Sequence, residues 1–317
     1  MVYTYMDIEH TLIHISFFML FFATSLNLTN LFYEFDKSNR LSGKIMTIAF
    51  SCTTESLVTR WFQTKHLPLS NLYESSMFLS WNFSLLYVIS KIRHQNGLSG
   101  AVTVPGAMLT HAFATLGLPE EMQQSTPLVP ALQSHRLMTH VSTMLFSYAT
   151  LLCGSLSAIV SSSLFYGRLK HNSTFDSRRI CNKRSTLLNI CSEFDVRNFL
   201  HLSSPNLKRY QLINQLDRWV YQTISLGFSL LTIGILSGAV WANEARGSYR
   251  SWDPKETWAL VTWPTHATYL HIRITKTNKQ MGEGPAMAAS TGFFLVRICF
   301  LGINLLGVGL HNYGWLV

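Results

Sequence analysis

The sequence is short of charge. Only 13% of its 317 residues are Asp, Glu, Lys or Arg, about half of the roughly 25% usual in soluble proteins. With 48% apolar residues and a positive mean hydropathy, there is too little polar surface to cover a water-soluble globule of this size. The five cysteines, Cys52, Cys153, Cys181, Cys191 and Cys299, contain no C-x-x-C pair, which excludes zinc-ribbon and thioredoxin-like chemistry and covalent c-type haem attachment to this chain itself. No P-loop, H-E-x-x-H, G-x-S-x-G or G-x-G-x-x-G motif occurs, so nucleotide, zinc-protease and serine-hydrolase chemistries have no support. No internal repeat is evident. The first apolar stretch lacks a basic n-region and a small-residue cleavage site, and its length suits a retained membrane span.

What is abundant is apolar sequence in runs of the right length. A hydrocarbon core of about 30 Å needs roughly 20 helical residues per crossing. Eight such runs can be drawn, at 10–32, 45–61, 70–90, 98–118, 138–163, 218–241, 254–272 and 290–313. The expected fold is therefore all-α, a polytopic membrane protein of about eight transmembrane helices, with 1–317 forming a single integral membrane domain. The runs at 45–61 and 254–272 are the least apolar, the first carrying Thr53, Thr54 and Glu55 and the second Pro264. The long segment 164–217 is basic and polar, and is expected as a partly ordered excursion rather than a second domain.

The net charge of +9 could indicate nucleic-acid binding, but the basic residues sit in loops between apolar runs, which is a topology signal. Loops 33–44, 91–97, 164–217 and 273–289 share one side of an eight-span chain and hold 17 Lys and Arg; the other side holds 6. The richer side is expected to be cytoplasm or its organellar equivalent. The segment 242–253, the loop 119–137 and both termini then face the opposite compartment.

On that opposite face lies the densest unusual stretch, WANEARGSYRSWDPKETWALVTW, from Trp241 to Trp263. Its aromatics, Trp241, Tyr249, Trp252, Trp258 and Trp263, suit an ordinary interfacial belt. They equally suit an apolar platform for a planar ligand such as a porphyrin or quinone. Asp253 can N-cap the following helix, with Pro254 at its first position and Glu256 at its third closing a capping box. His140 and His311 lie at the ends of spans five and eight on this same face, and two neutral imidazoles are what an iron porphyrin needs as axial ligands. His271 stands 17 residues into span seven, which at about 1.5 Å each places it roughly 26 Å across, near the other face. There it suits either a functional site or a snorkelling residue beside Arg273. His10, His14 and His111 are expected to hydrogen-bond locally.

These residues resemble a known pattern. The run GAVWANEARGSYRSWDPKETWALVTW is similar to the tryptophan-rich WWD signature of the haem-handling superfamily that includes CcsA, CcmC and CcmF. The segments SHRLMTHVSTMLFSYATLLCGSLSAI, PLSNLYESSMFLSW, TYLHIR and NLLGVGLHNYGWLV narrow it to the plastid and cyanobacterial CcsA family. The resemblance implies a subunit of a System II cytochrome c synthase. Such a protein transports haem b and presents it for thioether attachment to apocytochrome C-x-x-C-H motifs, with that activity expressed only beside a ResB-like membrane partner. It also implies that His140 and His311 ligate the haem iron at the outer face and His271 within the membrane, and that Trp252 and Asp253 end the WWD motif. Trp241, Tyr249 and Trp258 would complete the platform, in a loop 241–258 within a haem-handling core at 137–317. The clients would be apocytochromes c of the f and c6 type, and the location a thylakoid membrane with the WWD loop and both termini lumenal. The alternatives are a multi-helix haem or quinone electron-transfer subunit, or a solute transporter.

One departure has its own implication. Arg136, Arg246, Arg250 and Arg297 stand where the resembled family has Trp, and a C-to-U change in the transcript converts CGG to UGG. The same change would turn Pro264, Thr265, His266 and Ser76 into Leu, Ile, Tyr and Leu. Arg297 sits within FFLVRICFLG, where a bilayer-centre Arg costs at least about 2.5–3.5 kcal/mol. The expectation is that the transcript is edited, as in a land-plant plastid.

Overall fold

The computed structural model describes residues 2–32, 36–93, 98–119, 123, 135–182, 195–275 and 283–306. Among the described residues there is no strand, and the chain runs as eight successive helices. They are α1 (Val2–Phe32), α2 (Asp36–Thr64), α3 (Leu72–Ile92), α4 (Leu98–Ala112), α5 (His135–Asn182), α6 (Asp195–Arg246), α7 (Pro254–Thr275) and α8 (Glu283–Arg297). Two of them change pitch at their ends. α4 widens into a π turn at Phe113–Gly117, and α8 into another at Ile298–Gly302 followed by one α turn, Ile303–Leu306. Each of the eight expected spans falls on one helix, with 307–313 of the last outside the described residues.

Four segments are long and apolar enough to cross a membrane by length and composition: Ile8–Asn30, His135–Ser163, Asn214–Arg246 and Gly284–Leu305. The others carry hydroxyls, and α2 shows how these are accommodated. Thr53 Oγ1 donates to the Ala49 carbonyl at 3.0 Å, Thr54 Oγ1 to Phe50 at 2.7 Å and Ser56 Oγ to Thr53 at 3.0 Å. Each hydroxyl is thus satisfied within its own helix, which removes most of the cost of placing it away from water.

The 164–217 segment is more regular than its composition suggested. α5 continues to Asn182 and α6 starts at Asp195, so helix occupies most of what was expected as a partly ordered excursion. Nucleation is the costly step of helix formation, and a helix already formed by the apolar span extends at little further cost into polar sequence. α6 likewise runs on to Arg246, leaving 247–253 as the connection to α7.

α5 and α6 form the most extensive helix pair, α1 packs on α2 and α3 on α4, and α8 lies against both α5 and α7. Buried polar groups tie the bundle at both ends. At the end away from the 247–253 loop, Arg273 on α7 donates to Asp217 on α6 at 2.9 Å, both side chains being buried. At the loop end, the guanidinium of Arg60 donates to Glu74 at 2.8 Å, to Glu9 at 2.8 Å and to the Gln123 carbonyl at 2.7 Å. That one cation joins α1, α2 and α3. His111 was expected to bond locally, but its partners lie on α1: Ser16 Oγ and the Ile13 carbonyl, each at 3.2 Å, with Phe17 stacked on the ring. α4 packs against α1 closely enough to supply what its own turn does not.

Candidate functional site

The site begins with the heptad-like spacing of α5. Leu137, His140, Val141, Met144, Leu145 and Tyr148 recur at intervals of three and four and so share one helix face. That face walls a cavity of about 540 Å³ at the loop end of the bundle, within the size range of cofactor pockets. α6 contributes Ile235, Gly238, Ala239 and Trp241, α7 contributes Lys255, Glu256, Ala259 and Leu260, and Phe300 enters from the π turn after α8. Leu69 and Ser70, ahead of α3, close one side. Glu74 holds them there, accepting hydrogen bonds from the Ser70 N–H at 2.8 Å and the Ser70 hydroxyl at 2.6 Å.

His140 is held in a defined tautomer. Its Nδ1 lies 2.7 Å from the Gly234 carbonyl oxygen. A carbonyl only accepts, so Nδ1 carries the proton and Nε2 carries the lone pair that a metal requires. Room for the ring comes from α6. A Cβ on Gly238 would lie 2.5 Å from Cε1 and 2.6 Å from Nδ1 of His140, so only glycine leaves space for the imidazole at that point.

Over the cavity runs the 247–253 connection. Gly247, at φ +72°, stops α6, and its N–H bonds the Asn243 carbonyl at 2.8 Å. Arg246 donates to Ser251 Oγ at 2.8 Å and to Glu256 at 3.0 Å. Glu256 also accepts the Ser251 N–H at 3.0 Å. The third-position carboxylate of α7 thus reaches back past Asp253 to Ser251. Asp253 itself is buried at the cap position, and its carbonyl accepts the Thr257 N–H at 2.9 Å. Trp252 has φ +58° and is 71% exposed. A bulky residue in the left-handed region stores strain of order 1–3 kcal/mol, which surrounding contacts must hold. One such contact is Arg250, whose guanidinium carbon sits 4.2 Å from the Trp252 ring centroid. Arg136 pairs with Glu244 across the tops of α5 and α6.

The sequence-derived site residues are thus separated by role. His140, Trp241 and Tyr249 line one cavity. Trp252 projects outward above it, Asp253 caps α7, and Trp258 packs against the hydrophobic core. His271 is exposed on the α7 surface near the far end. His311 lies outside the described residues. Among the described residues no group of three or more His, Cys, Asp or Glu side chains clusters as a metal site.

Residues 69–311 match the sequence model for Cytochrome C assembly protein. The chain belongs to the cytochrome c assembly protein family. It is 61% identical to the cytochrome c biogenesis protein CcsA of Adiantum capillus-veneris over 100% of both chains. It is 51% identical to CcsA of Pinus thunbergii, covering 98% of this chain and 99% of that one, and 50% identical to CcsA of Marchantia polymorpha over 99% of each. Among solved structures, the cytochrome c haem lyase CcmF shares the fold at a TM-score of 0.53 and 12% identity over 93% of this chain. This family member spans 50% of that chain's length.

Sequence reasoning did not find the residues that hold His140 in place and close the cavity. Gly234 and Gly238 are four apart in span six, a small-residue spacing that marks close helix approach in membranes, and that signal was present. Nothing local marked Leu69, Ser70, Lys255 or Phe300 as walls of the same cavity.

Proposed function

We propose that the chain is a subunit of a membrane cytochrome c synthase that binds haem b as transported substrate and presents it to apocytochrome C-x-x-C-H motifs. The observation that carries this reading is His140. Its Nδ1–H is anchored on the Gly234 carbonyl, and its ring lines an apolar cavity beside Trp241 and Tyr249. Haem would supply the iron that takes an axial ligand and the vinyl groups that become thioethers. The chain supplies orientation and exclusion of water. The Gly234 hydrogen bond fixes the imidazole plane, the Met144, Leu145 and Phe300 walls keep the cavity dry, and the exposed Trp252 marks the side open to a client.

Residues 137–317, with the loop 241–258, form the haem-handling core, and His311 is the second axial ligand at the outer face. His271 serves an earlier haem position near the other face. Because it is exposed on α7 rather than turned into the bundle, its counterpart would come from another chain, which fits a ResB-like partner. A di-haem electron carrier would instead need histidines paired inside the bundle, and the exposure of His271 argues against that. The similarity to plant CcsA proteins supports a thylakoid location, clients of the cytochrome f and c6 type, and a lumenal loop.

The test is haem content of the purified protein by pyridine haemochrome. His140→Gly and His311→Gly should each lower or spectrally shift the bound haem, with exogenous imidazole restoring cytochrome maturation. His271→Gly should lower loading without imidazole rescue at the outer site. Unchanged haem and maturation in the two outer-face variants would overturn the assignment.

A further inference from the structure

Thioether formation moves a proton, and iron ligation leaves the group that carries it unassigned. Of the histidines described at the loop end, His140 offers its Nε2 to the iron, and His135 opens α5 off the stripe of Leu137, Val141, Met144 and Tyr148 that walls the cavity. His66 is placed differently. It lies in the 65–71 connection between α2 and α3, three residues before Leu69 and Ser70, which close one side of the cavity. The connection is held in one shape. Thr64 Oγ1 donates to the His66 carbonyl at 3.0 Å, and the Leu69 N–H to the Leu67 carbonyl at 2.8 Å. Pro68 and Leu69 are buried, and Glu74, itself bonded by Arg60, fixes Ser70. Lys65 turns left-handed at φ +58°. It and Trp252 are the two non-glycine residues with positive φ among the described residues, and each stands in a connection that contributes to the cavity wall. Such outliers persist where surrounding contacts hold them, and they concentrate at functional sites.

The ring of His66 is half-buried, while Phe62 and Lys65 before it are exposed, so the imidazole stands where the aqueous face meets the cavity wall. Its Nδ1 lies 3.2 Å from the Leu67 carbonyl oxygen. That oxygen only accepts, so Nδ1 carries the proton and Nε2 the basic lone pair. An imidazole held in that tautomer at the edge of a reaction cavity is suited to take up a proton and return it near neutral pH.

We infer that His66 is a catalytic residue, the general base and acid that moves the proton when a client cysteine adds to a vinyl group of the porphyrin. The inference rests on the haem reading of the cavity. In the step, Nε2 takes the thiol proton and the sulfur electron pair bonds to the vinyl carbon next to the ring. The vinyl π pair forms the new C–H bond at the terminal carbon, taking the proton back from the imidazolium. A thiol and an alkene become one thioether, His66 ends as it began, and nothing is oxidised or reduced overall.

The experiment separates haem binding from haem attachment. Haem is titrated by absorbance into the full chain purified in detergent, and covalent attachment to an apocytochrome c is timed with the chain assembled with its membrane partner. His66→Gln keeps a side chain that can donate to the Leu67 carbonyl but has no basic nitrogen. Its haem affinity should match the wild type, while the attachment rate should fall by about 10²–10⁴-fold, the usual contribution of general acid–base catalysis. The wild-type rate should vary with pH between about 5 and 8, and that variation should flatten in His66→Gln. Exogenous imidazole should restore attachment in His66→Gly. A wild-type attachment rate in His66→Gln, or a slower rate with the wild-type pH profile and no imidazole rescue in His66→Gly, overturns the role of His66 and leaves the haem reading standing. Loss of haem affinity in His66→Gln also overturns it, since the residue would then serve binding rather than proton transfer. Failure of the wild type to bind haem overturns both.

Discussion

Replacing Arg60 by Met isolates the energetics of the buried charges that hold the cavity's lip. Methionine keeps an apolar stem of similar reach and deletes only the guanidinium. Two carboxylates then lose their cation: Glu74, with no exposed surface, and Glu9, at 6%. The Gln123 carbonyl loses its donor as well. Breaking a buried ion pair by removing one partner costs about 3–5 kcal/mol, chiefly because a charge is left uncompensated. Here one cation serves two anions, so Arg60→Met should fall at the upper end of that range. The cause can be separated from lost packing. Adding Glu9→Gln and Glu74→Gln to Arg60→Met removes both orphaned charges and should recover at least about half of the loss, since neutral replacement of a whole buried network is far milder than breaking it. Chemical denaturation of the detergent-solubilised chain, followed by tryptophan fluorescence, gives the order directly. A triple variant no more stable than Arg60→Met would refute the electrostatic account. Because Glu74 also positions Ser70, Arg60→Met should in addition weaken haem retention.

Three further outcomes follow from the same geometry. Gly238→Ala should push the His140 ring off the Gly234 carbonyl and lower haem affinity about 10- to 100-fold, the usual effect of disturbing the group that orients a metal-binding histidine; wild-type haem retention would refute it. Reporters fused near residue 180 and near Tyr249 should report opposite compartments, and a shared compartment would break the eight-span topology. Sequencing the mature transcript should show UGG at codons 136, 246, 250 and 297. Ser76 Oγ, His266 Nε2, Arg246 Nε and Arg250 Nε and Nη2 are buried without hydrogen-bond partners among the described residues, and Arg297 is exposed on apolar α8 with its guanidinium 5.5 Å from the Phe293 ring centroid. Retention of CGG would refute the editing proposal.

The helices were legible because a lipid crossing asks for roughly 20 apolar residues; four segments meet that by length and composition, whereas α2, its hydroxyls bonded within the helix, was legible as a helix without meeting it. The start of α7 was legible from Asp253 and Pro254 because capping is local chemistry. His140 could be placed at the right face by counting along α5. What the sequence did not disclose was convergence. Leu69 and Phe300 lie more than two hundred residues apart and meet only through the packing of α3, α5 and α8. The five aromatics of the loop region looked alike in sequence. Four of them separate into cavity wall, outward tip and core because α6 runs to its stop at Gly247, a local signal, and because the chain turns left-handed at Trp252, which has no local signature.

The Gly234 carbonyl has an electronic consequence beyond orientation. Within α6 its ladder partner is the N–H four residues on, that of Gly238. Ser237 Oγ donates to the same oxygen at 2.9 Å, and His140 Nδ1 does so at 2.7 Å. Three donors share two lone pairs. Each bond is weaker than it would be alone, so the carbonyl draws less on Nδ1–H and lends the ring less imidazolate character. A neutral donor pushes less electron density onto iron and leaves the ferrous state more accessible. If His140 ligates haem iron as proposed, crowding at one backbone oxygen on α6 would favour the reduced metal on the far side of the ring.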